Sequence, residues 1–264
     1  MKAEHFKITR NVIKDYFVSL KRDDVRKWAV TSGRFLNQNK KLAKGDNYNV
    51  GLELLPSTLS GKRGVNLCGK ETSCLRTCLV FSGKGNLLNQ RKMIDGGVIT
   101  PMLATRAKRT WLYLNDQEFF FNLLNNEIDK AKMLASALGK KLAIRLNVFT
   151  DIDWSEFIST RKDVQFYDYT KHWDREGSEN YSITYSFSEK ITLDMANEKI
   201  TAGNNIAMVF PSSLPESWNN IPVINGDESD SRYADSKGII IGLVLKTPIG
   251  KKIDYLKNKF LRVA

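Results

Sequence analysis

Cysteine and histidine are scarce in this chain, and long apolar runs are missing. Three cysteines and two histidines occur among 264 residues. An odd cysteine count does not suit a disulfide framework, and it fits a reducing, cytosolic compartment. His5 and His172 are too few for a paired-histidine metal motif, which argues against a rolling-circle nickase, although Tyr169 has a hydroxyl able to attack phosphate. No stretch approaches the roughly 20 apolar residues that span a bilayer, so no membrane role is expected. The opening Met1-Lys-Ala-Glu-His-Phe-Lys7 lacks the apolar centre of a secretory signal. Walker and dinucleotide-binding glycine patterns are also missing.

What is present is unevenly placed. Hydrophobic residues make up 42% and charged residues 27%, ordinary for a globular chain long enough to bury a full core. The formal charge of +12 is concentrated at one end: residues 1–112 hold 22 Lys/Arg against 8 Asp/Glu, and the remainder holds 19 against 21. A basic half of this kind suits a polyanion partner, most simply nucleic acid, with DNA favoured over RNA; solubility is the alternative use of such charge.

All three cysteines fall in one segment, Cys68-Gly-Lys-Glu-Thr-Ser-Cys74-Leu-Arg-Thr-Cys78. Three thiolates on one loop suit a zinc ion or an iron–sulfur cluster, and three ligands leave a coordination position for substrate. The spacing matches neither a zinc finger nor a ferredoxin pattern. Packing as small hydrophobes is the other reading.

Residues 1–47 read as a basic helical arm appended to a body at 48–264. Val12, Tyr16, Phe17, Leu20, Val25, Trp28 and Ala29 form a rough apolar stripe, and Asp23-Asp24 is placed to cap a second helix. Such an arm either grips nucleic acid or covers one end of a barrel. Strands are expected at 50–55, 142–149, 164–169, 181–187, 205–210, 221–224 and 238–245. Asn115-Asp116 should cap a long helix that runs to Leu138 and stops at Gly139. Near-continuous apolar strands separated by crossovers predict an α/β fold, a complete or partial (β/α) barrel, with a doubly wound open sheet as the alternative.

In parallel barrels the working residues lie beyond the C-terminal ends of the strands. Asp151 and Asp153 follow the second strand, Asp168 and Lys171 the third, and the cysteine loop the first. These four are the candidate catalytic residues, as acids, bases or nucleophiles, although Asp151 and Asp153 are equally good helix caps. His172 is a candidate fourth metal ligand. Asp227, Asp230 and Arg232 resemble an ion-pair loop or a hard-cation site, without the downstream glutamate of an EF-hand. Phosphate contacts are expected from Lys84, Arg91, Lys92, Arg106, Lys108 and Arg109, with a solvated helix face as the alternative for the last three. Tyr167 and Tyr169 could stack on bases, although one of them should face the core.

Several stretches together resemble the gene-product-eighty-eight family of phages and plasmids. They are Asn49-Val-Gly-Leu-Glu-Leu-Leu-Pro56, Cys78-Leu-Val-Phe-Ser-Gly-Lys-Gly85, Arg145-Leu-Asn-Val-Phe-Thr-Asp-Ile-Asp-Trp154, Val164-Gln-Phe-Tyr-Asp-Tyr-Thr-Lys171, Ile183-Thr-Tyr-Ser-Phe-Ser188 and Pro222-Val-Ile-Asn-Gly-Asp227. The resemblance implies a mobile-element origin and no particular activity. The layout is also loosely similar to radical S-adenosylmethionine enzymes, which would bring that cofactor and a cluster on the loop after the first strand. Their second and third cysteines are closer together, and Phe81 stands where the third would fall. A further similarity is to guanine transglycosylases, which would make Asp151, Asp153 or Asp168 a nucleophile and a zinc ion structural. There, however, the zinc loop comes late in the chain. The resulting expectation is a phage-type enzyme acting on nucleic acid, with base modification in DNA as its chemistry. The alternative is a non-catalytic binding or replication accessory protein whose metal folds the loop.

Overall fold

The structure is a computed structural model and describes residues 3–32, 35–38, 47–69, 78, 93 and 95–245. Cys74, Lys84, Arg91 and Lys92 lie outside the described residues. The helices are α1 (Ala3–Ser19), α2 (Arg22–Thr31), α3 (Pro101–Asn115), α4 (Gln117–Ala137), α5 (Ser155–Ser159) and α6 (Leu193–Thr201). The strands are β1 (Tyr48–Gly51), β2 (Leu142–Arg145), β3 (Gln165–Thr170), β4 (Tyr181–Ser186), β5 (Asn205–Phe210), β6 (Ser217–Trp218), β7 (Ile221–Asn225) and β8 (Ile240–Val244). No helix among the described residues is long and apolar enough to cross a membrane.

The eight strands form one sheet in the order β1-β2-β3-β4-β5-β8-β7-β6. Every pairing is parallel except β6 with β7. That exception is a hairpin closed by Asn219 and Asn220, whose φ values of 47° and 62° give the two left-handed positions of a type I′ turn. The expected parallel α/β architecture is present, with one hairpin that strand spacing did not announce. Among the described residues no hydrogen bonds join β1 to β6, so the sheet is not closed. The free edge of β1 is covered instead by Asn37, which exchanges two backbone hydrogen bonds with Gly51 at 2.9 and 2.8 Å.

Side chains alternate across the sheet and build two layers. On one face Val50, Ile144, Phe166 and Tyr181 pack with Val25 and Ala29 of α2, Leu112 of α3 and Phe120, Leu124 and Ile128 of α4. Ile13 and Phe17 of α1 pack with Leu55, Leu59, Leu103 and Ala107. Both N-terminal helices thus contribute buried side chains to the cores beside the sheet. Asp23 and Asp24 sit in the first turn of α2, where their charge suits the helix dipole, but the N-cap is Lys21, with no side-chain cap bond. Asp116 likewise does not cap α4 with its side chain. Its carboxylate accepts from Arg26 Nε and Nη2 at 2.6 and 2.9 Å, tying α2 to the α3–α4 corner. α4 stops where expected, with Gly139 in the left-handed region at φ 64°.

The opposite face carries two smaller clusters. Ala143 and Tyr167 pack against Tyr233, and Ala207, Ile239 and Ile241 against Tyr169, Ile224 and Leu243. Tyr233 belongs to a short 3-10 turn, Arg232–Ala234, that lies over β3 and β4. Asn49 Nδ2 of β1 donates to Ser231 Oγ at 3.1 Å, so a side chain bridges the first strand to this turn.

Candidate functional site

The segments after β1, β2 and β3 meet at the C-terminal end of the sheet, and Asn147 organises the middle one. Its Oδ1 accepts from Thr150 Oγ1, Ile152 N and Trp154 Nε1, and its Nδ2 donates to Ile152 O and Asp168 Oδ2. Trp154 is fixed in turn among the rings of Tyr113, Phe120, Phe121 and Phe157. The loop after β2 is thereby held from its own amide and from the aromatic core.

The candidate aspartates come to this end, each with a distinct task. Asp151 is buried and accepts from Thr170 Oγ1 at 2.8 Å, Lys171 N at 2.7 Å and Arg175 Nη1 at 2.9 Å. It therefore fastens the turn after β3 to the loop after β2. Asp153 is exposed and accepts from Ser155 N and Oγ at the start of α5, which holds its pKa below the ordinary carboxylate value. Asp168 is buried beside Asn147 and Tyr181, with Oδ1 accepting from Asn147 N at 2.8 Å. Burial, with a smaller push from the Asp151 charge, raises its pKa to about 7 against the pull of Arg145 and the Asn147 N–H. Sequence reading placed these residues at the strand ends; Asn147 lay in a quoted family stretch without a role of its own, and Arg175 carried no motif.

The cysteine segment enters the same end. Asp151 N donates to Leu67 O at 2.8 Å, so the residue before Cys68 is pinned to the loop after β2. Ser57 N donates to Cys68 Sγ at 3.1 Å, and Cys68 Sγ lies 3.7 Å from Phe149 O. Ser57 has a φ of 55°, a left-handed conformation uncommon for serine. Cys78 is half-buried and packs against the cluster that holds Leu55 and Met93. His172 abuts the segment: Gly69 has φ 59°, and a Cβ there would stand 2.6 Å from His172 Nε2. Among the described residues no group of three His, Cys, Asp or Glu is placed to hold a metal ion. Cys68 and Cys78 are the described thiols of the expected ligand set.

The basic candidates on α3 turn inward. Arg106 is buried, pairs with Glu53 at 2.9 Å and lies 4.2 Å from the centre of the Phe149 ring. Arg109 is buried beside Phe35, with Nη2 donating to Asn37 Oδ1 at 3.2 Å; burial lowers its pKa to about 10. Lys108 stands over the Trp28 ring at 5.1 Å. A solvated helix face was one reading of this triplet, but helix period could not show that β1 runs into Glu53, a buried partner for Arg106. Tyr169 packs on the face opposite the helices, under the Arg145 guanidinium at 4.6 Å. Asp230 and Arg232 also belong to that side, where Arg232 pairs with Asp235 at 3.2 Å. Lys171 contributes its backbone N–H to Asp151, as described above.

The C-terminal end of the sheet thus joins a thiol-bearing segment to a buried carboxylate–arginine pair, with the histidine at its side. No curated protein and no solved structure matches the chain. The sequence profile described as Gene product 88 matches residues 30–254, spanning β1 through β8, and the chain belongs to that family.

Proposed function

We propose that this chain is a phage or mobile-element enzyme that acts on nucleic acid, built on a partial (β/α) barrel with its N-terminal helices as a basic face. The cysteine segment would hold a zinc ion or an iron–sulfur cluster at the C-terminal end of the strands. The observation that carries this reading is the Asp151 N–Leu67 O hydrogen bond of 2.8 Å, which sets Cys68 beside the loops where parallel sheets do their chemistry. Cys68 and Cys78 supply two soft ligands, and Cys74, outside the described residues, would be the third. A bound metal would supply Lewis acidity or redox capacity. Asp151 acts in this scheme as a positioning residue for the Thr170–Arg175 turn.

Purification under nitrogen with iron, sulfide and zinc analysis tests the proposal. Stoichiometric metal that is lost in Cys68→Ser is expected. Iron with sulfide would favour the S-adenosylmethionine-type chemistry, and zinc would favour a transglycosylase-type or structural role. Binding to DNA should fall steeply with salt, because phosphate contacts release counterions. A metal-free protein with salt-insensitive binding would refute both halves.

One observation favours a second reading, a non-catalytic nucleic-acid-binding or replication accessory protein. The carboxylates of Asp151, Asp153 and Asp168 all accept hydrogen bonds within the scaffold, and only Asp153 is exposed. Metal bound with unchanged DNA affinity in Cys68→Ser, and no product formed, would select that reading.

A further inference from the structure

The sheet face that carries Tyr167, Tyr169 and Arg145 holds more buried hydrogen-bond donors than the described residues use. Tyr167 is fully buried and Arg232 is 5% exposed. The Tyr167 and Tyr169 hydroxyls and the Nε atoms of Arg145 and Arg232 are buried and make no hydrogen bond among the described residues. These four groups are neighbours. Arg145 lies over the Tyr169 ring at 4.6 Å, and the charges of Arg232 and Arg145, with those of Asp230 and Asp235 opposing them, act on Tyr169. Arg145 reaches Asp230 only at 3.6 Å, longer than the roughly 2.7–2.9 Å of a charge-assisted hydrogen bond. Arg232 Nη1 and Asp235 Oδ2 are 3.2 Å apart but are not aligned as a hydrogen bond. Buried polar groups are otherwise almost always satisfied, and here donors on two guanidinium groups and two phenols stand unmade beside one buried acceptor, Asp235 Oδ2.

Position adds a second argument. Arg145 is the last residue of β2, and Tyr169 is the penultimate residue of β3, at the same end as Asp151 and Cys68. The turn carrying Arg232 is tethered to β1 through Asn49 and Ser231. Two guanidiniums flanked by tyrosine hydroxyls match a group with several acceptor oxygens and negative charge. We propose that this face, between the ends of β2 and β3 and the Ser229–Asp235 turn, binds a small molecule through an oxyanion, either a carboxylate or a phosphate. The site is separate from any metal on the cysteine segment, and nothing in it requires that metal.

Thermal unfolding and titration calorimetry of the full chain with inorganic phosphate, and separately with acetate, test the inference. A saturable rise in unfolding midpoint is expected with one of the two anions, and the stronger one identifies the group recognised. Tyr169→Phe and Tyr167→Phe remove a hydroxyl and keep the ring. Each should weaken the anion about tenfold while leaving the ligand-free midpoint unchanged or higher, since an unmade buried hydrogen bond is lost with it. Cys68→Ser should leave the anion affinity unchanged, which keeps this result distinct from that of the metal analysis. A response that is linear in salt, or equal affinities in wild type and both phenylalanine variants, would overturn the site and leave water-satisfied tyrosines or an adventitious ion only.

Discussion

Replacing Asp151 with Asn separates a scaffold role from a chemical one. The substitution keeps the side chain's size but removes its charge. It also turns one acceptor oxygen into a donor facing Thr170 Oγ1, Lys171 N or Arg175 Nη1. Arg175 would stay in place with its side chain only 6% exposed, beside a partner that is 4% exposed. Breaking one side of a buried pair costs about 3–5 kcal/mol, because the other charge remains without compensation. In a chain of this size each kcal/mol lowers the midpoint by about 2–4 °C, so a fall on the order of 10 °C is expected. Urea unfolding of Asp151→Asn, Arg175→Met and the double variant measures it. The double variant should be more stable than Asp151→Asn alone, since removing both partners leaves no orphan charge. If Asp151→Asn is within about 1 kcal/mol of wild type, the scaffold argument fails and the carboxylate is free for chemistry.

Asp168 makes stability depend on pH. Its folded pKa of about 7 stands above the ordinary carboxylate value of 3.8, so the folded state holds a proton that the unfolded chain releases. Its contribution is fully present below the unfolded value and is lost as pH rises toward 7, at up to about 1.4 kcal/mol per unit. Asp116 and Asp153, whose pKa values are lowered, act in the opposite sense and lose stability only in acid. Urea midpoints from pH 4 to 8 should therefore show a decline that Asp168→Asn flattens; identical slopes in both proteins would refute the assignment. Gly69→Ala combines a left-handed φ of 59° with a Cβ 2.6 Å from His172 Nε2. A loss of about 2–4 kcal/mol is expected, of which His172→Ala in the same chain restores only the steric part. Full restoration would show that the backbone carries no strain.

Much of the architecture was legible because strand formation follows local signals. The strands expected at 142–149, 205–210 and 238–245 stand at 142–145, 205–210 and 240–244, and Gly139 ends α4 by a conformation that few other residues adopt. The failures share a cause. Asp116 has the residue type of a cap, but Arg26, some 90 positions away in the chain, takes its carboxylate. Arg106 and Arg109 have the spacing of an exposed basic face, yet β1 and its extension place Glu53 and Asn37 against them.

The amino-acid order by itself determined the parallel α/β class, the strand positions, the family and the gathering of three thiols in one segment. Tertiary structure alone decided which strand lies beside which, including the insertion of β8 between β5 and β7, and whether a charged side chain meets water or a buried partner. The physical reason is range. Backbone propensity and periodicity act over a few residues, whereas pairing of Asp151 with Arg175, or the approach of His172 to Gly69, exists only after distant segments have folded against one another.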